Sequence, residues 1–172
     1  APAPPSPPVA SDPAPPMDAP PPASEAERKQ VTILCAGLEL SGGAEVDPET
    51  RMAAVDPAFA EMAALVRRYG GSPGGGMATG LVAVFGAPMA YEDHALRACR
   101  AALALRDALA GRAGAPAPSI ALHSGEVVIR PGADGVEAIG PVVALAAKLS
   151  RLGSGGSVLV TAETARRAEG FL

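Results

Sequence analysis

Apolar positions along the chain fall into short continuous runs, helical stripes and two stretches that fit neither. Val31-Thr32-Ile33-Leu34-Cys35-Ala36 is β-branched and almost unbrokenly apolar, the form of a central strand covered on both faces. Leu81-Val82-Ala83-Val84-Phe85 and Val158-Leu159-Val160 read as strands too, Val136 to Ile139 as a short one, and Ser119 to Arg130 as strand on either side of a bend at Gly125. Asp47-Pro48 and Asp56-Pro57 each read as a helix N-cap followed by proline in the first turn. The second opens a helix in which Phe59, Met62, Leu65 or Val66 and Tyr69 recur at helical spacing until Gly70-Gly71 stops it. Glu92 and Asp93 place acidic charge at the start of a long helix, Asp93 to about Ala110, closed by Gly111, with Leu96, Cys99, Ala102 and Leu103 as its buried stripe. Val142 to Leu152 is helical by its Val143, Leu145-Ala146 and Leu149 pattern, and a polar helix starts at Ala162. The order β-αα-β-α-β-β-β-α-β-α predicts an α/β (α+β) sandwich: a mixed, ferredoxin-like sheet of the split-βαβ kind with helices packed on it.

Two stretches lack either period. Gly70 to Gly76 is too rich in glycine to hold regular structure. Residues 1–24 carry eleven of the nineteen prolines and no aromatic residue, so they cannot build a core and read as a disordered Pro/Ala-rich linker favouring extended polyproline II. Their PxxP patterns could dock on a proline-recognition module. Folded structure is expected from residue 25 to 172, beginning near Arg28, and the Ala at position 1 reads as the start of a piece of something longer.

Composition narrows the function class. The formal net charge is −4, which disfavours a nucleic-acid binder. No run of eighteen apolar residues exists, because Arg97, Arg100, Arg106 and Asp107 interrupt the longest Ala/Leu stretch, so no membrane span is expected. Cys35 and Cys99 are the only cysteines, too few for a disulfide scaffold or a cysteine zinc cluster, and a cytoplasmic location fits best.

Taken singly, the polar positions point to little chemistry. A phosphate-loop reading of Gly70 to Gly80 fails because no Lys lies between Lys29 and Lys148, and such a loop needs Lys followed by Ser or Thr to meet phosphate and magnesium. His123 beside Ser124-Gly125-Glu126 has no second His nearby, since His94 opens a separate helix, and reads as structural. Asp134 and Glu137 read as solvated turn residues.

The order and spacing of several blocks together are more specific. Glu27-Arg28-Lys29-Gln30-Val31-Thr32-Ile33-Leu34 leading into Ala36-Gly37-Leu38 comes first, then Gly80-Leu81-Val82-Ala83-Val84-Phe85-Gly86-Ala87-Pro88 before Glu92-Asp93-His94-Ala95. His123-Ser124-Gly125-Glu126-Val127 follows, and Ile139-Gly140 precedes Leu145-Ala146-Ala147-Lys148-Leu149. This series resembles the catalytic domain of the class III nucleotidyl (adenylate and guanylate) cyclases, over nearly all of residues 27 to 170, ending short of that family's last strand pair. The resemblance implies head-to-tail pairing, as a homodimer or a heterodimer with another cyclase-like domain, with each nucleotide site shared across the interface. One subunit would supply two Asp holding two Mg or Mn ions on the triphosphate, the other an Asn and an Arg that stabilise attack by the 3′-hydroxyl.

At the matching positions those side chains are absent. The first metal Asp falls on Gly37 and the second on Thr79, within Ala78-Thr79-Gly80; the base-reading Lys falls on Gly75 and the base-reading Asp on Pro141. The transition-state Asn falls on Ala144 and the Arg on Lys148, which keeps the charge without the two-pronged geometry of a guanidinium. No Asp or Glu occurs between Glu61 and Glu92, or between Glu137 and Glu163, so no slip in alignment supplies the second metal ligand or the base-reading Asp, although Glu39 lies two positions past Gly37. Both halves of the shared site have thus gone, and no bound metal is expected. Losing one oriented transition-state donor costs about a hundred- to a thousandfold in rate.

The expectation is therefore a catalytically degenerate cyclase homology domain, a dimerisation or regulatory module covalently attached to other signalling domains of a bacterial protein. Its relict pocket would comprise Gly37, Gly75, Thr79, Pro141 and Lys148, with a nucleotide as possible ligand. The alternatives are an active cyclase making cyclic AMP or cyclic GMP from ATP or GTP, and a Pro-rich tail that is itself the functional docking segment.

Overall fold

A computed structural model describes residues 26–38, 47–74, 80–110, 117–133 and 135–171. The Pro-rich segment 1–24, Gly111 and Asp134 lie outside them. Ten elements follow in chain order: β1 (Glu27–Leu38), α1 (Pro48–Arg68), β2 (Ser72–Pro73), β3 (Gly80–Phe85), α2 (His94–Ala110), β4 (Pro118–Gly132), β5 (Gly135–Ile139), α3 (Pro141–Leu152), β6 (Val158–Val160) and α4 (Ala162–Glu169).

The sheet runs in the order β2-β3-β1-β4-β5, and β6 pairs with β4. Every pairing is antiparallel except β4 with β6. β1 is central and buried on both sides, as its continuous apolar run predicts. Strand alternation divides its side chains cleanly. Leu34, Ala36 and Leu38 enter a core with Met62, Val66, Phe85, Ala98, Ala102 and Leu105 under α1 and α2. Val31, Ile33 and Cys35 enter a second core with Val84, Val127, Val142 and Ala146 under α3. A small third cluster, Ala95, Leu96 and Ala168, joins α2 to α4. Among the described residues no helix is long and apolar enough to cross a membrane.

Four expectations need correction. The two proline-initiated helices are one: α1 passes through Pro57. Proline has helical φ and forfeits only its own N–H donor and some backbone fit, and Pro57 lies on an exposed part of the helix. Asp47 stands at the N-cap but makes no side-chain cap hydrogen bond. The glycine-rich stretch holds a two-residue strand, β2, in which Ser72 pairs with Val84 and Pro73 with Ala83. β4 is one strand that runs straight through Gly125, because that glycine serves a close approach and no bend: a β-carbon on it would lie 2.6 Å from Val142 Cγ2 of α3. Finally, Leu103 is 44% exposed: of the expected stripe Leu96 and Ala102 are buried, and Ala98, Ala101, Leu105 and Leu109 complete the buried side of α2.

The sheet is strongly curled. Although β2 and β5 stand at opposite ends of the strand order, a β-carbon on Gly74, next to β2, would lie 3.5 Å from the carbonyl oxygens of both Val136 in β5 and Val82 in β3.

Candidate functional site

The positions singled out by sequence fall in two places. Gly37 is near the end of β1, paired with Gly80 of β3 on one side and Ser119 of β4 on the other. Being odd-numbered, it shares the sheet face of Ile33 and Cys35, beneath α3. A β-carbon on Gly37 would meet Ser119 Oγ at 3.4 Å, so the position has room for a methyl group. Gly80 has none: its β-carbon would lie 2.5 Å from the Ala36 carbonyl oxygen. Gly75, Thr79 and Glu39 lie outside the described residues.

The second place is α3. Gly140, at φ 146°, leads into Pro141, whose missing N–H costs nothing at the first position of a helix. Val142, Ala146, Ala147 and Ser150 are buried against the sheet. Helical spacing then puts Pro141, Ala144, Leu145, Lys148 and Leu152 on the opposite side, and all five are exposed. Leu145 is 40% and Leu152 71% exposed, and Ile139 just before the helix is 43% exposed. Lys148 makes no hydrogen bond or ion pair among the described residues. This side of α3 is an apolar stripe with one cation.

A second cation on α3 was not singled out by sequence. Arg151, one turn past Lys148, donates through Nε to the Ala147 carbonyl at 3.3 Å. Its charge favours the thiolate of Cys35, but burial dominates and pushes that thiol up to about 12. Cys35 is therefore an inert core residue. The signal available was only the spacing of three from Lys148 on a helix with no other Arg.

The divalent metals implied by the resemblance need anionic oxygen ligands. Gly37 offers none, Ser119 offers a neutral hydroxyl, and the described residues hold no group of three His, Cys, Asp or Glu able to take a metal. The described residues do not fit a two-metal site.

His123 and Glu126 do not act together. They point to opposite faces of β4 by alternation, and exposed Glu126 pairs with Arg28 at 3.2 Å. Glu137 pairs with Arg130 at 2.7 Å, which holds its carboxyl below the usual range. Both histidines belong instead to a line of hydroxyls. His94 Nδ1 lies 2.8 Å from Thr32 Oγ1, which lies 2.7 Å from Ser124 Oγ. Ser124 Oγ reaches Thr164 Oγ1 at 2.9 Å, Thr164 Oγ1 reaches Thr161 Oγ1 at 3.1 Å, and His123 Nδ1 lies 3.0 Å from Thr161 Oγ1. Thr32, Ser124, Thr164 and His94 are buried. Burial and the nearby Arg167 charge depress His94 basicity, with Asp93 acting weakly the other way.

The architecture matches solved cyclase domains. The chain is similar to the guanylyl cyclase Cya2, with TM-score 0.73 and 25% identity over 83% of this chain and 80% of that one. It is similar to the catalytic core of a rhodopsin-guanylyl cyclase with converted specificity in complex with ATPαS, with TM-score 0.77 and 21% identity over 86% of each chain. It is also similar to the adenylyl cyclase CyaB from P. aeruginosa, with TM-score 0.70 and 21% identity over 85% of this chain and 83% of that one. No family model matches the sequence, and no curated protein matches it. The chain has the fold of the class III adenylyl and guanylyl cyclase catalytic domains.

Proposed function

We propose that this chain is a nucleotidyl cyclase-type domain that pairs with a second domain of the same fold and does not turn nucleotide over, serving as a cytoplasmic dimerisation or regulatory module of a larger signalling protein. The observation that carries the reading is the outward side of α3. On one helical face it combines exposed Leu145 and Leu152 with Pro141, Ala144 and Lys148, where an active member would present a base-reading carboxylate, an Asn and an Arg. The apolar part of such a surface is retained while the reacting part is gone. Neighbours of the same fold include a guanylyl cyclase domain described both as a monomer, at 21% identity and TM-score 0.76, and as a non-canonical dimer, at 19% identity and TM-score 0.76, so the architecture is compatible with pairing. Any nucleotide held near Gly37 would lack both metal carboxylates and the oriented donors, so binding without chemistry is the most this site supports.

Two measurements on the chain test this. Sedimentation at high micromolar concentration is expected to show self-association that Leu145→Lys or Leu152→Glu abolishes while circular dichroism stays unchanged. Incubation with manganese and ATP or GTP is expected to give no cyclic nucleotide. A monomer at that concentration overturns the pairing, and cyclic product lost in Lys148→Ala overturns the degenerate reading in favour of an active cyclase.

A further inference from the structure

The last helix carries little of the core. Of the eight residues of α4 only Thr164 and Ala168 are buried, and both are small. Ala168 meets Ala95 and Leu96 of α2 in a cluster separate from the two main cores. The ion pairs of α4, Glu163 with Arg166 and Arg167, lie within the helix and do not tie it to the sheet. Toward β1, Arg167 donates to the Gln30 side-chain oxygen at 3.2 Å, in the amide orientation that satisfies both groups. α3, by contrast, buries Val142, Ala146, Ala147 and Ser150, the first three of them in one core with Val31, Ile33 and Cys35.

The buried polar contact of α4 breaks at little cost. Thr164 Oγ1 lies 2.9 Å from Ser124 Oγ. Without it, Ser124 keeps Thr32 Oγ1 at 2.7 Å, and Thr32 keeps His94 Nδ1 at 2.8 Å. Each group left behind retains a partner, and the departing Thr164 hydroxyl finds water, so one hydrogen bond is exchanged for another. Departure of α4 uncovers Ala95, Leu96 and a seam of hydroxyls, whereas departure of α3 would open an entire apolar core. Eight residues are too few for an isolated helix in water, so an undocked α4 unwinds, and docking and helix formation are one event. β6 has its own hold on the sheet: Val158 to Val160 pair with β4, and the Thr161 N–H bonds the Leu122 carbonyl. The chain can therefore part at Thr161 without loss of the strand before it.

We propose that α4 is a latch that opens as a unit, undocking and unwinding from Ala162 to Glu169 while the sheet stays folded, so that the domain has a second state in which the seam of Leu96 and Ser124 is open to a partner. A ligand that prefers either state shifts the balance between them. Thr32 alternates onto the sheet face of Leu34, under α2, while the pairing reading concerns α3 on the other face. The latch goes beyond that reading and does not depend on it.

Hydrogen exchange of the full chain at neutral pH, resolved by residue, tests it. The amides of Ala165 to Ala168 are expected to share one opening equilibrium, populated at least about tenfold more than the one that exposes Ile33 to Cys35 in β1, and to respond weakly to low urea. Ile33→Val, in the core under α3, is expected to raise exchange in β1 about three- to tenfold and to leave the α4 amides unchanged. Thr164→Ala is expected to raise both by the same factor, because it destabilises the closed state against the open and the unfolded states alike. The proposal is overturned if α4 and β1 share one opening equilibrium and rise together in Ile33→Val. It is equally overturned if exchange in α4 is graded from Glu169 back to Ala165, which is the fraying of a helix that stays docked.

Discussion

Gly37 and Ser119 face each other across β1 and β4 with space for one more carbon between them, whereas Gly80, on the other flank of Gly37, is pressed against the Ala36 carbonyl. The two glycines should respond differently to the same change. Gly37→Ala is expected to leave stability within about 1 kcal/mol of the parent, and Gly80→Ala to cost about 2 kcal/mol or more, because a backbone oxygen must move. Urea midpoints compared at equal m-values decide it.

Gly125 and Val142 form a second such pair. Gly125→Ala drives a methyl into Val142 Cγ2 and should destabilise by about 1–3 kcal/mol. Val142→Ala alone leaves a cavity under α3. The double variant is expected to be more stable than the sum of the two single effects, a coupling that a double-mutant cycle in urea measures.

Cys35 gives stability an alkaline limit. In the unfolded chain its thiol ionises near pH 9, while burial in the native protein holds the proton to about 12. Between those values the unfolded state binds fewer protons, so stability falls as pH rises through that window. Cys35→Ala should flatten the alkaline limb of a urea midpoint against pH profile. Native Cys35 should resist iodoacetamide at pH 8.

His94 acts in the opposite direction. Its basicity is depressed in the fold, so below pH 6.5 the unfolded chain takes up a proton that native His94 refuses. Stability present above that pH is lost as pH falls. His94→Asn, which can still accept from Thr32, should flatten the acid limb, as thermal melts between pH 7 and pH 5 would show.

Local period made much of the architecture legible. The unbroken apolar run at Val31 to Ala36 announced a strand covered twice, and Met62 with Val66 marked the buried side of α1. Pro57 and Gly125 were misread for one reason. A proline that opens a helix and one tolerated inside it look alike in sequence, as do a glycine at a bend and a glycine beneath a neighbour's side chain. The difference lies in tertiary contacts. Pro141, Ala144 and Lys148 were placed on α3 by block resemblance, and their shared exposure follows from spacing. The buried hydroxyl line left no signal, because Thr, Ser and His at separations such as 62, 92 and 40 residues are joined only by the fold.

The curl that brings Gly74 close to Val136 also bears on the free edges of the sheet. A flat sheet with free margins invites strand addition and stacking into fibres. Here one margin is a two-residue strand containing a proline that has no N–H to offer, and it is tucked against the hairpin forming the other. Growth by backbone ladders is discouraged at these two margins, and the remaining edge, β6, offers three residues.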